Sequence, residues 1–184
     1  MAFGHQGLHS GVAHLPFVLK LPQSRFAGQT SAGLLGNLDV APTLLDLLGL
    51  DAPAGWSGKS FRRLLGDPSG SAEFRPYLVL EASHQQEISV RTPKSMYREI
   101  LPLHRENQEL YPFLGYADGD PFQFFDLEQD PGENSDLGRQ RPEELVRWGE
   151  VVRQHLLERD ASLAGTLETE EHLEALEALG YIQR

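Results

Sequence analysis

The run Asn37-Leu38-Asp39-Val40-Ala41-Pro42-Thr43-Leu44-Leu45-Asp46-Leu47-Leu48-Gly49 predicts a helix with almost no polar face. Asp39 is a candidate N-cap, and Pro42 falls in the first turn, where a missing N–H is tolerated. Gly49 then stops the helix after about three turns. A helix that is apolar on nearly every side belongs between other elements. The other segments of this chain are too few to cover it.

Upstream, Leu15 to Leu21 (LPFVLKL) predicts a buried strand that ends at Pro22. Downstream, residues 51–75 are rich in Gly, Pro, Ser and Asp around one short helical patch, Ser60 to Leu65, and mark a lobe boundary. Beyond it the pattern changes to strands: Tyr77–Glu81, Ile88–Arg91, Met96–Ile100 and Phe122–Leu127, the last after a loop over 102–121. Hairpin spacing, with Thr92-Pro93-Lys94 as one turn, predicts a small antiparallel sheet. Pro142 opens a helix whose Leu145, Trp148, Val152 and Leu156 form a stripe that covers one sheet face. A last helix runs from Glu168 to Leu179 and ends at Gly180.

The chain has 184 residues, 40% apolar and 23% charged, within the range of folded globular proteins. A net charge of -11 argues against a nucleic-acid partner, which needs clustered Lys and Arg. No apolar run reaches spanning length, so no membrane segment is expected. The absence of cysteine removes disulfides, thiolate metal sites and thiol nucleophiles.

Several chemical motifs fail on inspection. Ser57-Gly58-Lys59-Ser60 imitates the end of a P-loop, but the required upstream glycine is Pro53. Gly7-Leu8-His9-Ser10-Gly11 puts its serine one place late for a nucleophile elbow. His5, His9 and His14 invite a zinc reading, yet Gly4, Gly7 and Gly11 oppose the helix that would align them. The acidic run Asp126, Glu128, Asp130, Glu133, Asp136 has Pro131 and Leu137 at the calcium-loop turn and twelfth positions, and reads as a solvated turn. Asp39 and Asp46 are explained by capping and surface exposure. Lys94, Arg91 and Arg98 are outward positions on a strand pair.

Four stretches carry a family resemblance. Gly7 to Pro22 is similar to the sulfatase stretch leading from the active-site rim into a strand, often L-Y-x-E-x-x-x-V-P-L, with Gly11 in place of the acidic residue of L-Y-x-E and Ser10 before it. Asn37 to Gly49 resembles the N-x-D-I-A-P-T-L-L-D-L-A-G helix, and Gly55 to Leu65 the G-x-S-L-x-P-L-L turn. Ser89–Tyr97, Phe125–Asn134 and Leu176–Tyr181 resemble the carboxy-terminal sheet and tail.

The resemblance implies an α/β architecture: residues 1–75 as the end of an alkaline-phosphatase-like catalytic domain, and 76–184 as a carboxy-terminal sheet-and-helix lobe. It implies hydrolysis of sulfate esters, with a sulfated small molecule or glycan as partner, and an exported parent. Family members use a formylglycine, made from Cys or Ser in a Cys/Ser-x-Pro-x-Arg signature, together with calcium. Neither has a counterpart here, since there is no cysteine and none of the twelve prolines follows a serine at that spacing. The expectation is a truncated, catalytically inactive portion whose natural partner is the missing amino-terminal part of the catalytic domain. His5 falls where the family places a Lys, Arg or His that contacts the sulfate, and a donor there would stabilise charge on the leaving oxygen. The alternatives are a phosphoester hydrolase or phosphotransferase of the same superfamily, and a non-catalytic glycan-binding module.

Overall fold

A computed structural model describes residues 7–67, 74–82, 87–101 and 120–167, with side chains placed to residue 160. His5, most of the 102–121 loop and the expected helix over 168–179 lie outside the described residues.

Four strands, β1 (Leu78–Glu81), β2 (Glu87–Arg91), β3 (Ser95–Ile100) and β4 (Phe122–Asp126), form an antiparallel sheet in sequential order. Its register pairs Val79 with Val90, Val90 with Tyr97, and Tyr97 with Phe124, which puts one apolar row on one face. The β2–β3 turn is held by Thr92, whose Oγ1 accepts from the N–H groups of Lys94 (3.1 Å) and Ser95 (2.8 Å).

The helix that opens at Pro142 covers that row. It spans Pro142–Leu167 (α3), and its Trp148 and Val152 pack on Ile88, Val90, Tyr97 and Phe124, flanked by Leu145 and Leu156. Tyr77 meets the Trp148 ring edge-on at 5.9 Å. Farther along, Glu81 of β1 accepts from His155 and Arg159, each at 2.7 Å, and ties the helix to the sheet edge.

The amino-terminal half departs from its expected form in three ways. Leu15–Leu21 forms no strand, because a strand exists only by pairing and no described segment lies alongside it. Val18 is 91% exposed, while Phe17, edge-on to Phe61 at 5.8 Å, and Leu19 are anchored. A single helical turn, α1 (Ser10–Ala13), forms where the glycines argued against any helix. The apolar helix, α2 (Val40–Leu47), is entered through a 3-10 turn at Asn37–Asp39.

At that entry the Asp39 side chain caps no N–H of α2 itself, correcting the expected N-cap. Instead it reaches back to the Gly36 N–H at 3.0 Å, the half of a capping box that a glycine partner permits. The stop at Gly49 is as expected. Gly49 has φ +74°, and the Leu50 and Gly49 N–H groups donate to the Leu45 and Asp46 carbonyls, a Schellman closure. Leu44, Leu48 and Leu50 are exposed, so the described chain leaves one side of α2 uncovered.

Residues 51–75 are less of a linker than their composition suggests. Phe61, Leu64 and Phe74 are buried with Leu19, Leu35 and Leu65 in a small core, and the short helix there is a 3-10 turn over Arg62–Leu65.

Candidate functional site

Strand parity decides which groups meet on the sheet face opposite α3. Cross-strand partners share a face, so Glu87, Ser89 and Arg91 of β2 lie with Ile100, Arg98 and Met96 of β3. Met96 joins Phe125 and Leu127 in a second core, closed by Leu8 from the incoming amino-terminal segment. Beside this apolar patch the face is polar, and the segment Leu8–Ser10 lies across it.

Glu133 is the centre of the contact. It follows β4 in a turn built by Asp130, whose carboxylate accepts from the Asn134 and Ser135 N–H groups at 2.7 Å each. These bonds hold Glu133 at φ 55°, a left-handed conformation uncommon for a side-chain-bearing residue, and aim its carboxylate inward. The Glu133 Oε1 accepts from the Ser10 N–H at 2.8 Å and from the Ser10 hydroxyl, while Oε2 faces His9 Nδ1 at 3.1 Å. Arg91 approaches both Ser10 Oγ and the carboxylate, the latter at 3.8 Å. Burial alone would raise the Glu133 pKa. The bonds from His9 and Ser10 outweigh it and hold the carboxyl at about 2.

A second carboxylate repeats the arrangement one step upstream. Glu87 accepts the Leu8 N–H at 3.2 Å and pairs with Arg98 at 2.8 Å, an ion contact in which the Arg98 Nε–H is not aligned on the oxygen. Arg98 Nη1 lies 2.7 Å from His9 Nδ1 and 2.8 Å from Nε2. The His9 ring thus lies between the Arg98 guanidinium and the Glu133 carboxylate.

Three sequence readings are corrected by this geometry. Arg98 is buried and Arg91 half-buried against the segment, so neither points outward, and Lys94, which does, is paired with Glu128 at 2.9 Å. Glu133 is buried rather than part of a solvated turn. Asp39 is fully buried, accepting from Arg75 Nε (3.0 Å) and the Lys59 N–H (2.8 Å); these bonds, with that from Gly36, overcome burial and lower its pKa. It is therefore a structural ion pair holding Lys59 and Arg75 against the entry to α2. Asp46 accepts from Ser60 and Arg62 at the surface, as expected of an exposed group.

Of the three histidines of the zinc reading, His5 lies outside the described residues. His9 is engaged by Glu133 and Arg98, and His14 is exposed. Among the described residues no group of three or more His, Cys, Asp or Glu could hold a metal ion. The buried carboxylates Asp39, Glu87 and Glu133 are already occupied by cations and N–H donors, so these residues do not fit calcium. Among them, too, no helix is long and apolar enough to cross a membrane. Sequence reasoning missed Glu87 and Glu133 as the groups that hold residues 8–10. The available signal was a lone Glu between Gly132 and Asn134, where a left-handed turn is easily made.

The four-stranded sheet with a helix on one face and a clamped incoming segment on the other is the small sheet-and-helix lobe that the sequence resemblance implied. The chain belongs to the family described as N-sulphoglucosamine sulphohydrolase, C-terminal, which it matches over residues 3–158. It is 25% identical over 158 residues to arylsulfatase K of Xenopus laevis, covering 82% of this chain and 27% of that protein. It is 30% identical over 137 residues to the multifunctional alkaline phosphatase superfamily protein PehA of Trinickia caryophylli, covering 73% and 26%. An N-acetylglucosamine-6-O-sulfatase of Bacteroides thetaiotaomicron is 24% identical over 73% of this chain and 23% of its own length. A solved structure in complex with its substrate D-glucosamine-2-N,6-O-disulfate superposes at a TM-score of 0.52 with 22% identity, over 73% of this chain and 27% of that one. This chain thus spans about a quarter of the length of the relatives it matches.

Proposed function

We propose that this chain is the closing part of an enzyme that hydrolyses sulfate esters of a carbohydrate, and that it is inactive alone. The observation that carries the reading is the docking of Leu8–Ser10, the rim segment by resemblance, onto the sheet through Glu133 and Glu87. In this reading residues 1–75 close the catalytic domain and 76–184 form the lobe that supports it. His5, three residues before the clamp, donates to the sulfate and steadies the leaving oxygen. The nucleophile and calcium are supplied by the missing amino-terminal part of the catalytic domain. The substrate class follows the amino-sugar sulfates named for the relatives.

The test is sulfate release from glucosamine sulfates by the 184-residue chain and by the product of the coding sequence extended upstream. The chain alone is expected to give none. The extended product is expected to turn over and to lose roughly 10²-fold in kcat on His5→Ala. Turnover by the chain alone, abolished by His5→Ala, would overturn the reading.

The similarity to PehA favours one second reading, a phosphoester hydrolase of the same superfamily. Preference of the extended product for phosphate over sulfate esters would select it. A stand-alone glycan-binding module is disfavoured on charge, because Arg91, Arg98 and Lys94 are each paired with a glutamate.

A further inference from the structure

The clamp has a role beyond holding two pieces of chain together. α1 is a single turn of four residues and has no stability of its own. Three consecutive residues entering it are fixed from outside: the Leu8 N–H by Glu87, the His9 ring by Glu133 and Arg98, and the Ser10 N–H and hydroxyl by Glu133. Glu133 is itself held in a left-handed conformation by the Asp130 turn, so the sheet presents the carboxylate already oriented. Its partners lie 123 and 124 positions away, and no local interaction could substitute for them.

We propose that Glu133 is a positioning residue for the substrate-facing rim, fixing through Ser10 and His9 where the segment approaches the active site. This rests on the reading of Gly7–Pro16 as that rim. A shift of about 1 Å in such a segment can cost roughly 10²-fold in rate, so the carboxy-terminal lobe sets catalytic geometry without touching substrate.

The chain has no native cysteine, which allows clean spin labelling. A Cβ at Gly11 meets nothing within 4 Å, and Val146 on α3 is exposed, so Gly11→Cys with Val146→Cys reports the rim against the far side of the sheet. Lys94→Cys with Val146→Cys is the control for the sheet itself. Double electron–electron resonance is expected to give a narrow rim distance in the parent and one broadened about twofold or more in Glu133→Gln, with the control distance unchanged.

A rim distance that stays narrow in Glu133→Gln while the control is intact overturns the proposal. Should Glu133→Gln broaden the control as well, the double variant His9→Ala/Ser10→Ala decides. It removes the His9 ring and Ser10 hydroxyl bonds and leaves the Ser10 N–H bond in place; a broadened rim with an intact control supports the proposal, whereas a narrow rim shows that the side chains of residues 9 and 10 do not carry the positioning and defeats it. Neither distance involves catalysis, so failure of the sulfatase reading appears separately, as absent sulfate release by the extended product.

Discussion

Replacing Glu133 by Gln keeps its shape and removes its charge, and the structure sets the size and the pH dependence of the loss. A carboxyl held at about 2 against an ordinary 4.5 binds its partners more tightly as the anion by roughly 3 kcal/mol, at about 1.36 kcal/mol per unit. Its side chain is only 1% exposed, so solvent screening removes little of this. Glu133→Gln is therefore expected to lower the unfolding free energy at pH 7 by about 3 kcal/mol.

Because the folded pKa is the depressed one, the contribution is present in full above the unfolded value of 4.5 and is lost as pH falls toward 2. At about pH 3 the gap between parent and variant should shrink to roughly half. Urea unfolding of both proteins at pH 7, 5, 4 and 3, followed by Trp148 fluorescence, reads the gap from the midpoints at constant slope. A gap that is the same at pH 7 and pH 3 would show that the carboxylate's charge does not hold the segment, and the account of the clamp would fail.

Asp39→Asn is expected to cost roughly 3 kcal/mol, because it strips the partner from a pair in which Asp39 is fully buried and leaves Arg75 beside it uncompensated; thermal melts of the two proteins at pH 7 measure it, and a loss below 1 kcal/mol, about the worth of a surface pair, would contradict it. Trp148→Ala should cost about 3–5 kcal/mol by opening a cavity under α3. Trp148→Phe should cost clearly less, since the indole N–H has no hydrogen-bond partner among the described residues; equal losses would mean that the N–H is engaged. Gly58→Ala would bring a Cβ within 1.9 Å of the Leu38 carbonyl oxygen, so it should release residues 55–60 from α2, seen as lost amide protection at Lys59 and Phe61. Native-state hydrogen exchange should find residues 1–70 less protected than 76–158, because Leu15–Leu21 has no pairing strand among the described residues while the sheet strands are laddered.

How much of this was legible in the sequence depended on where each segment finds its partner. The four strands and α3 were read correctly because their hydrophobic periods are answered within the same hundred residues: Val90 faces Tyr97 across a short turn, and Trp148 and Val152 cover both. The Gly49 stop was legible because a left-handed helix end is a local requirement. Leu15–Leu21 has the composition of a buried strand and forms none, since composition states a need for pairing without supplying the pair. The exposed leucines of α2 tell the same story for a helix.

The polar clamp failed to show for a different reason. Alternation along β3 correctly puts Arg98 on the face opposite Tyr97, but whether that face is wet depends on a segment 89 positions away. Charged residues are read as exposed by default because burying one alone is costly. Here Arg98 is buried with Glu87, and Glu133 with Ser10, His9 and Arg91, so each charge is compensated by a group that no local window contains. Two buried carboxylates that bind one incoming strand of backbone make an arrangement specific to its partner: an apolar face would accept many registers of residues 7–13, whereas N–H donors on Leu8 and Ser10 fit Glu87 and Glu133 in one. That single register is what Glu87 and Glu133 impose on the incoming segment.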